Sequence, residues 1–209
     1  MFTTMRREQD YRPRVHLSDV VDLGANEMVG VLSGLRGEIS MIDGRLIVTY
    51  GGDCPTCPAP ISEISTMMVA ATVRAWDEPI VLPNAVKDTE IEAIILEQAK
   101  KAGFDLSKPF PFRIKGRLTE TVMHVMRMPH PRFAGHGSPF PMAIQDEYRV
   151  AELGGEVLGF YAPKPFEGVF THPDEAWHFH WIDEARSRTA HIDKFGMASG
   201  AQLLLPRPE

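Results

Sequence analysis

The stretch MVGVLSGLRGEISMIDGRLIVTY, residues 28–50, alternates apolar and polar side chains and carries an Asp-Gly step in its second half. Alternation of this kind sends successive side chains to opposite faces of a strand. Asp-Gly suits a two-residue hairpin turn whose central positions need φ above zero. Asp43-Gly44 is therefore expected to join strands Ile39–Ile42 and Leu46–Tyr50. A chain that starts this way is built around antiparallel sheet.

The rest of the sequence extends that pattern with one clear interruption. TMMVAATVRAW (66–76) and FPFRIKGRLTETVMHVM (110–126) read as strands. YRVAELGGEVLGFYAP (148–163) reads as a hairpin turning at Gly154-Gly155. Trp177–Ile182 and the chain from Thr189 onward form another hairpin, turning through DEARSR. KDTEIEAIILEQAKKAG (87–103) is a helix, with Asp88 or Thr89 as N-cap, acidic residues in its first turn, Lys100 and Lys101 in its last, and Gly103 at the C-cap. Ile91, Ile94 and Ile95, with Gln98 and Ala99, line the face that packs on a sheet. The fold class expected is α/β, with mixed, mostly antiparallel sheets and few helices. The 209 residues suffice for a single metal-site chain, divisible near residue 105 into two halves (about 1–105 and 106–209) that share a core.

Composition narrows the functional classes. A net charge of −6, with no basic block, argues against a nucleic-acid or anionic-membrane surface. No apolar run reaches the roughly 20 residues of a membrane helix, and the polar start MFTTMRREQDYRPR lacks a signal-peptide core. A cytoplasmic location is expected. Cys54 and Cys57 form a lone C-x-x-C followed by Pro58 and Pro60, which disfavour the helix that redox chemistry uses, so a reduced hairpin loop is expected. MPHPRFAGHGSPFP (128–141) is a Pro/Gly loop with His130 and His136, read as a connector or a lid.

The segment WHFHWIDEARSRTAH holds three of the chain's 8 histidines. His178 and His180 are two apart on a strand and share a face. His191, across the turn, can complete a triad. Three neutral imidazoles with open positions suit a catalytic zinc or another divalent first-row metal. Two other readings remain: a half-buried histidine pair with ordinary hydrogen bonds, and a cupin-like set of His178, His180 and Glu184 that favours iron or manganese.

From about residue 16 to 195 the sequence resembles the alpha-acetolactate decarboxylase family. The resemblance rests on His178, His180, Arg186 and His191 with an eleven-residue step between the last two histidines. It rests also on LGFYAPKPFEGV (158–169), FRIKG (112–116) and GLRGEISMIDGRLIVTY (34–50) in matching order. The resemblance implies a zinc-dependent decarboxylase acting on a small 2-hydroxy-3-keto acid such as 2-acetolactate, through a metal-stabilised enediolate, to give acetoin. It implies His178, His180 and His191 as zinc ligands and Glu38 as an active-site glutamate. It also implies a homodimer joined through a sheet edge.

Three departures stand out. His124 falls where the family has an Arg that meets the substrate carboxylate; Arg127 or Arg186 are alternatives. Thr189-Ala190 replaces Gly-Gly. The family's C-terminal tail, which adds a second glutamate, has only Glu209 to match it. These departures leave open a different keto acid, handled by an isomerase, cyclase or aldol-type lyase, and a non-catalytic binding descendant.

Overall fold

The structure, a computed structural model, describes residues 10–52, 57–127, 144–172 and 175–207. Cys54, the 128–141 loop with His130 and His136, and Glu209 lie outside the described residues. Two antiparallel sheets carry the fold, as the alternation implied. The first contains β1 (Val15–His16), β2 (Glu27–Leu32), β3 (Gly37–Ile42), β4 (Arg45–Tyr50) and β5 (Ile64–Ala71), in the order β1-β5-β2-β3-β4. The second contains β6 (Ile80–Leu82), β7 (Phe110–Arg127), β8 (Ile144–Tyr161), β9 (Trp177–Ile182), β10 (Thr189–Met197) and β11 (Ala201–Leu204). β10 pairs with β9 on one edge and with β7 on the other, so β7, β8, β9 and β10 close a ring of pairings.

Period-2 alternation sets the layers. On β3, Ile39 and Met41 pack with Leu17 and Val20 of a short helix α1 (Leu17–Asp22), while Ile42 packs toward the second sheet. On β9, Trp177, Phe179 and Trp181 pack with helix α2 (Asp88–Lys101), while Ile182 packs toward the first sheet. Val29, Ile42 and Ile47 meet Leu158, Phe160 and Ile182 between the sheets. Each such side chain stabilises the sandwich by ~1.5–3 kcal/mol when fully buried. The order of layers is thus α1, first sheet, second sheet, α2. His178 and His180 have the parity of Ile182, and Glu38 and Ser40 that of Ile42, so all four are directed between the sheets.

Asp43 (φ 51°) and Gly44 (φ 76°) form the hairpin turn expected of them. Ile91, Ile95 and Ala99 are the buried face of α2, with Ile94 beside them. The helix starts one residue early: Lys87 is the N-cap, and its N–H donates to the Glu90 carboxylate at 3.0 Å. Asp88 is diverted from capping because it accepts the Phe195 N–H of β10 at 3.1 Å.

Two expectations need correction. Gly154-Gly155 is no turn; both lie inside the 18-residue strand β8. A Cβ on Gly154 would sit 2.4 Å from Glu184 Oε1, and one on Gly155 would sit 2.5 Å from the Ile182 carbonyl oxygen. The glycines are there for the close approach of the β9–β10 hairpin. Cys57 is disulfide-bonded, so it is not the reduced thiol expected.

Among the described residues no helix is long and apolar enough to cross a membrane.

Candidate metal centre

β9 presents His178 and His180 between the sheets, 4% and 0% exposed. The hairpin pairs His191 directly opposite His180, and β10 also pairs His191 with His124 of β7. Four imidazoles therefore gather on one face. The ligand atoms of His178, His180 and His191 all lie within 4.8 Å of one another.

Their hydrogen bonds decide which nitrogens face inward. His178 Nδ1 lies 2.7 Å from the Phe170 carbonyl oxygen. A carbonyl can only accept, so Nδ1 carries the proton and Nε2 keeps its lone pair. His180 Nδ1 lies 3.1 Å from Ser40 Oγ, which is 2.6 Å from Thr189 Oγ1. With Nδ1–H donating to Ser40 and Ser40 to Thr189, His180 Nε2 is also free. The two Nε2 atoms are 3.2 Å apart. In that tautomer the two lone pairs suit a cation between them; with the proton on His180 Nε2 instead, the same contact is an N–H···N hydrogen bond. Ligands at tetrahedral zinc, with Zn–N of about 2.0–2.1 Å, stand about 3.3 Å apart. Burial lowers His178 to about 4 and holds His180 and His191 well below the ordinary histidine range, with neighbouring histidines adding to the effect. All three are neutral near pH 7, the form that binds metal. The donor set and its outer hydrogen bonds fit a three-histidine site with an open position.

Glu38, from β3, stands beside this set. It is 2% exposed, and its Oε2 lies 3.7 Å from His180 Nε2. Oε1 accepts the Met126 N–H at 3.0 Å. Burial outweighs the pull of His124 and raises Glu38 to about 7. His124 bonds through Nδ1 to Asp193 Oδ2 at 2.8 Å, with its ring 4.7 Å from that of His191. Burial disfavours its cation, but Asp193 and Glu38 overcome that and raise its pKa. His124, His191 and Asp193 form a second group with metal-ligand spacing. There Asp193 and His124 already satisfy each other.

The two arginines are engaged elsewhere. Arg127 has the opposite strand parity to His124, is half exposed and pairs with Asp146 at 3.4 Å. Arg186 pairs with Asp43 at 2.8 Å and with Glu156 at 3.6 Å. Both carboxylates also bind Arg113, which is 2% exposed, bonded to Glu27 and stacked on Trp76 at 4.6 Å. Glu184, the cupin-like candidate, is exposed in the β9–β10 turn against Gly154, outside the ligand group.

Sequence reasoning did not select Ser40, Asp193 or His172. Asp193 follows His191 by two, a same-face signal that was there to be used. Ser40 has the parity of Glu38. His172, whose ring lies 6.1 Å from that of His191, carries no spacing signal at all.

A sequence model of the alpha-acetolactate decarboxylase family matches residues 10–204. The alpha-acetolactate decarboxylase of Streptococcus thermophilus is 26% identical over 184 residues, which cover 86% of this chain and 70% of that protein. The crystal structure of alpha-acetolactate decarboxylase from Bacillus subtilis strain 168 is similar with a TM-score of 0.72 at 15% identity, over 100% of this chain and 83% of that one. A Staphylococcus aureus protein of unknown function, described as similar to alpha-acetolactate decarboxylase, matches with a TM-score of 0.63 at 16% identity, over 94% of this chain and 79% of that one. The structural matches establish the two-sheet fold, and the family match spans nearly the whole sequence: the chain belongs to the alpha-acetolactate decarboxylase family of carboxy-lyases.

Proposed function

We propose that this chain is a zinc-dependent decarboxylase of a small 2-hydroxy-3-keto acid such as 2-acetolactate, releasing acetoin, with His178, His180 and His191 as the zinc ligands. The observation that carries this reading is the convergence of three neutral imidazoles beside a carboxyl group raised to about 7. Zinc, when bound, supplies a Lewis acid for a keto oxygen. The bond from C2 to the carboxylate breaks, its electron pair moves toward the keto oxygen, CO2 leaves, and a proton adds to carbon.

Glu38 is the proton donor in this reading. Its Oε1 is held as an acceptor by the Met126 N–H, which leaves Oε2, on the histidine side, to carry the proton. His124, whose cation Asp193 and Glu38 favour, receives the substrate carboxylate in this reading, since Arg127 and Arg186 are both ion-paired to acids. A single imidazolium grips an anion less firmly than a bidentate guanidinium. That observation favours a second reading, in which the same centre acts on a less anionic or differently substituted keto acid. The chain is read as one unit around this centre. It is read as a homodimer through a sheet edge, for which the outer part of β8, paired among the described residues only with β7 and exposing Tyr148, is available.

The test is metal content of purified wild type beside His191→Ala, followed by CO2 and acetoin release from 2-acetolactate. About one zinc per chain, lost in the variant together with turnover, is expected. Equal turnover in both samples would overturn the assignment. Metal-dependent CO2 release from another keto acid but not from acetolactate would select the second reading.

A further inference from the structure

The loop after β8 serves the histidine cluster twice. Phe170 accepts the His178 Nδ1 proton, and two residues later His172 stands 6.1 Å from the His191 ring, inclined at 66°. The loop is held firmly. Phe170 is buried and packs edge-on against Phe160, and buried Thr171 accepts the Gly168 N–H at 3.1 Å. His172 is therefore presented from a braced turn.

Exposure shows which way the cluster opens. His178, His180 and His124 are buried, whereas His191 and His172 are both partly exposed. Glu38 and Ser40 close the cluster from the first sheet, and both are buried. His172 thus stands at a partly exposed edge of the ligand set, beside His191. His172 is outside the group of converging ligand atoms, with its ring 6.1 Å from that of His191. A catalytic zinc keeps one position open for water or substrate. An imidazole N–H at the rim of that position is placed to donate to an oxygen bound there.

We propose that His172 is a substrate-contacting residue, which donates a hydrogen bond to an oxygen of the hydroxy or keto acid held at the open position. The inference rests on the metal-centre reading above, and the experiment separates the two. The protein is loaded with cobalt(II), and 2-hydroxyisobutyrate, which has no keto group to drive decarboxylation, is titrated against the cobalt d–d absorption. Wild type, His172→Ala and His172→Gln are compared, with circular dichroism as a check on folding.

Wild type and both variants are expected to take up equal cobalt. His172→Ala should bind the probe about tenfold more weakly, the loss of one hydrogen bond to a charged group. His172→Gln, which keeps an N–H donor, should recover part of that. Probe affinity in His172→Ala within about twofold of wild type would overturn the proposal. So would loss of cobalt from a folded variant, because His172 would then act on the metal and not on the acid. Absence of cobalt uptake by wild type sinks the metal-centre reading itself, before any substitution is made, and takes this inference with it.

Discussion

Two polar clusters lie between the sheets, and they solve opposite problems. In the Arg113 cluster, guanidinium groups of Arg113 and Arg186 face the carboxylates of Glu27, Asp43 and Glu156. Lys115, 3.6 Å from Glu156, adds a third cation to match the three carboxylates. The cluster also straps the sheets together, since Glu27 and Asp43 belong to the first and Arg113 and Glu156 to the second. The histidine cluster also lies between the sheets, but His178, His180 and His191 are neutral and their ligand atoms lie within 4.8 Å of one another. One cluster is closed by its own ion pairs; the other presents a donor set of the kind that holds a metal. Burial alone therefore does not mark a functional site. The mark is a set of groups whose hydrogen bonds point outward and whose acceptors point at one another.

The largest expected effect separates the clusters by function. His178→Ala with His180→Ala should abolish metal binding and lower CO2 release by at least about a thousandfold, since the Lewis acid contributes several kcal/mol to the barrier. Thermal unfolding of the metal-free form should change little by comparison. A double variant with wild-type turnover would end the distinction drawn above. Next, Arg113→Met should destabilise the fold by about 3–5 kcal/mol in urea titration, because it strands buried Glu27 without a partner. The effect should shrink if Glu27→Met is added.

A third test uses pH on the metal-free protein. Burial raises Glu38 from the ordinary carboxyl value of about 4.5 to about 7. Between those values the folded protein holds a proton that the unfolded chain has lost. The Glu38 contribution is thus full below about pH 4.5 and is lost as pH rises through about 7. Relative to wild type, Glu38→Gln should remove this fall, worth roughly 2–3 kcal/mol, from the stability profile. Parallel profiles would place Glu38 in a wetter setting than the one described. The smallest effect is expected for Ser40→Ala, which removes the hydroxyl opposite His180 Nδ1. Zinc affinity should fall by about 10- to 100-fold with the ligand set intact. An unchanged affinity would show that Thr189 alone orients the ring.

How much of this was legible depends on the range of each signal. The Asp43-Gly44 turn, the buried face of α2 and the His178, His180, His191 set are local patterns, set by backbone periods and a short hairpin. They were readable because each is complete within a few residues. Gly154-Gly155 was misread because a glycine pair announces only freedom from a Cβ. Whether that freedom serves a turn or the close approach of Glu184 and Trp181 depends on a hairpin nearly 30 residues away.

The sequence by itself determined the antiparallel strands, their inward parity and the side-by-side imidazoles, because alternation and turn chemistry act between near neighbours. Only the tertiary structure decided that Glu38 stands beside His180, that Arg113 meets Glu27 and Asp43, and that His124 and His172 flank His191. Those contacts depend on the packing of two sheets and on β10 bridging β9 and β7. Register between distant strands is set by the burial of whole faces, and no single stretch of chain contains that information.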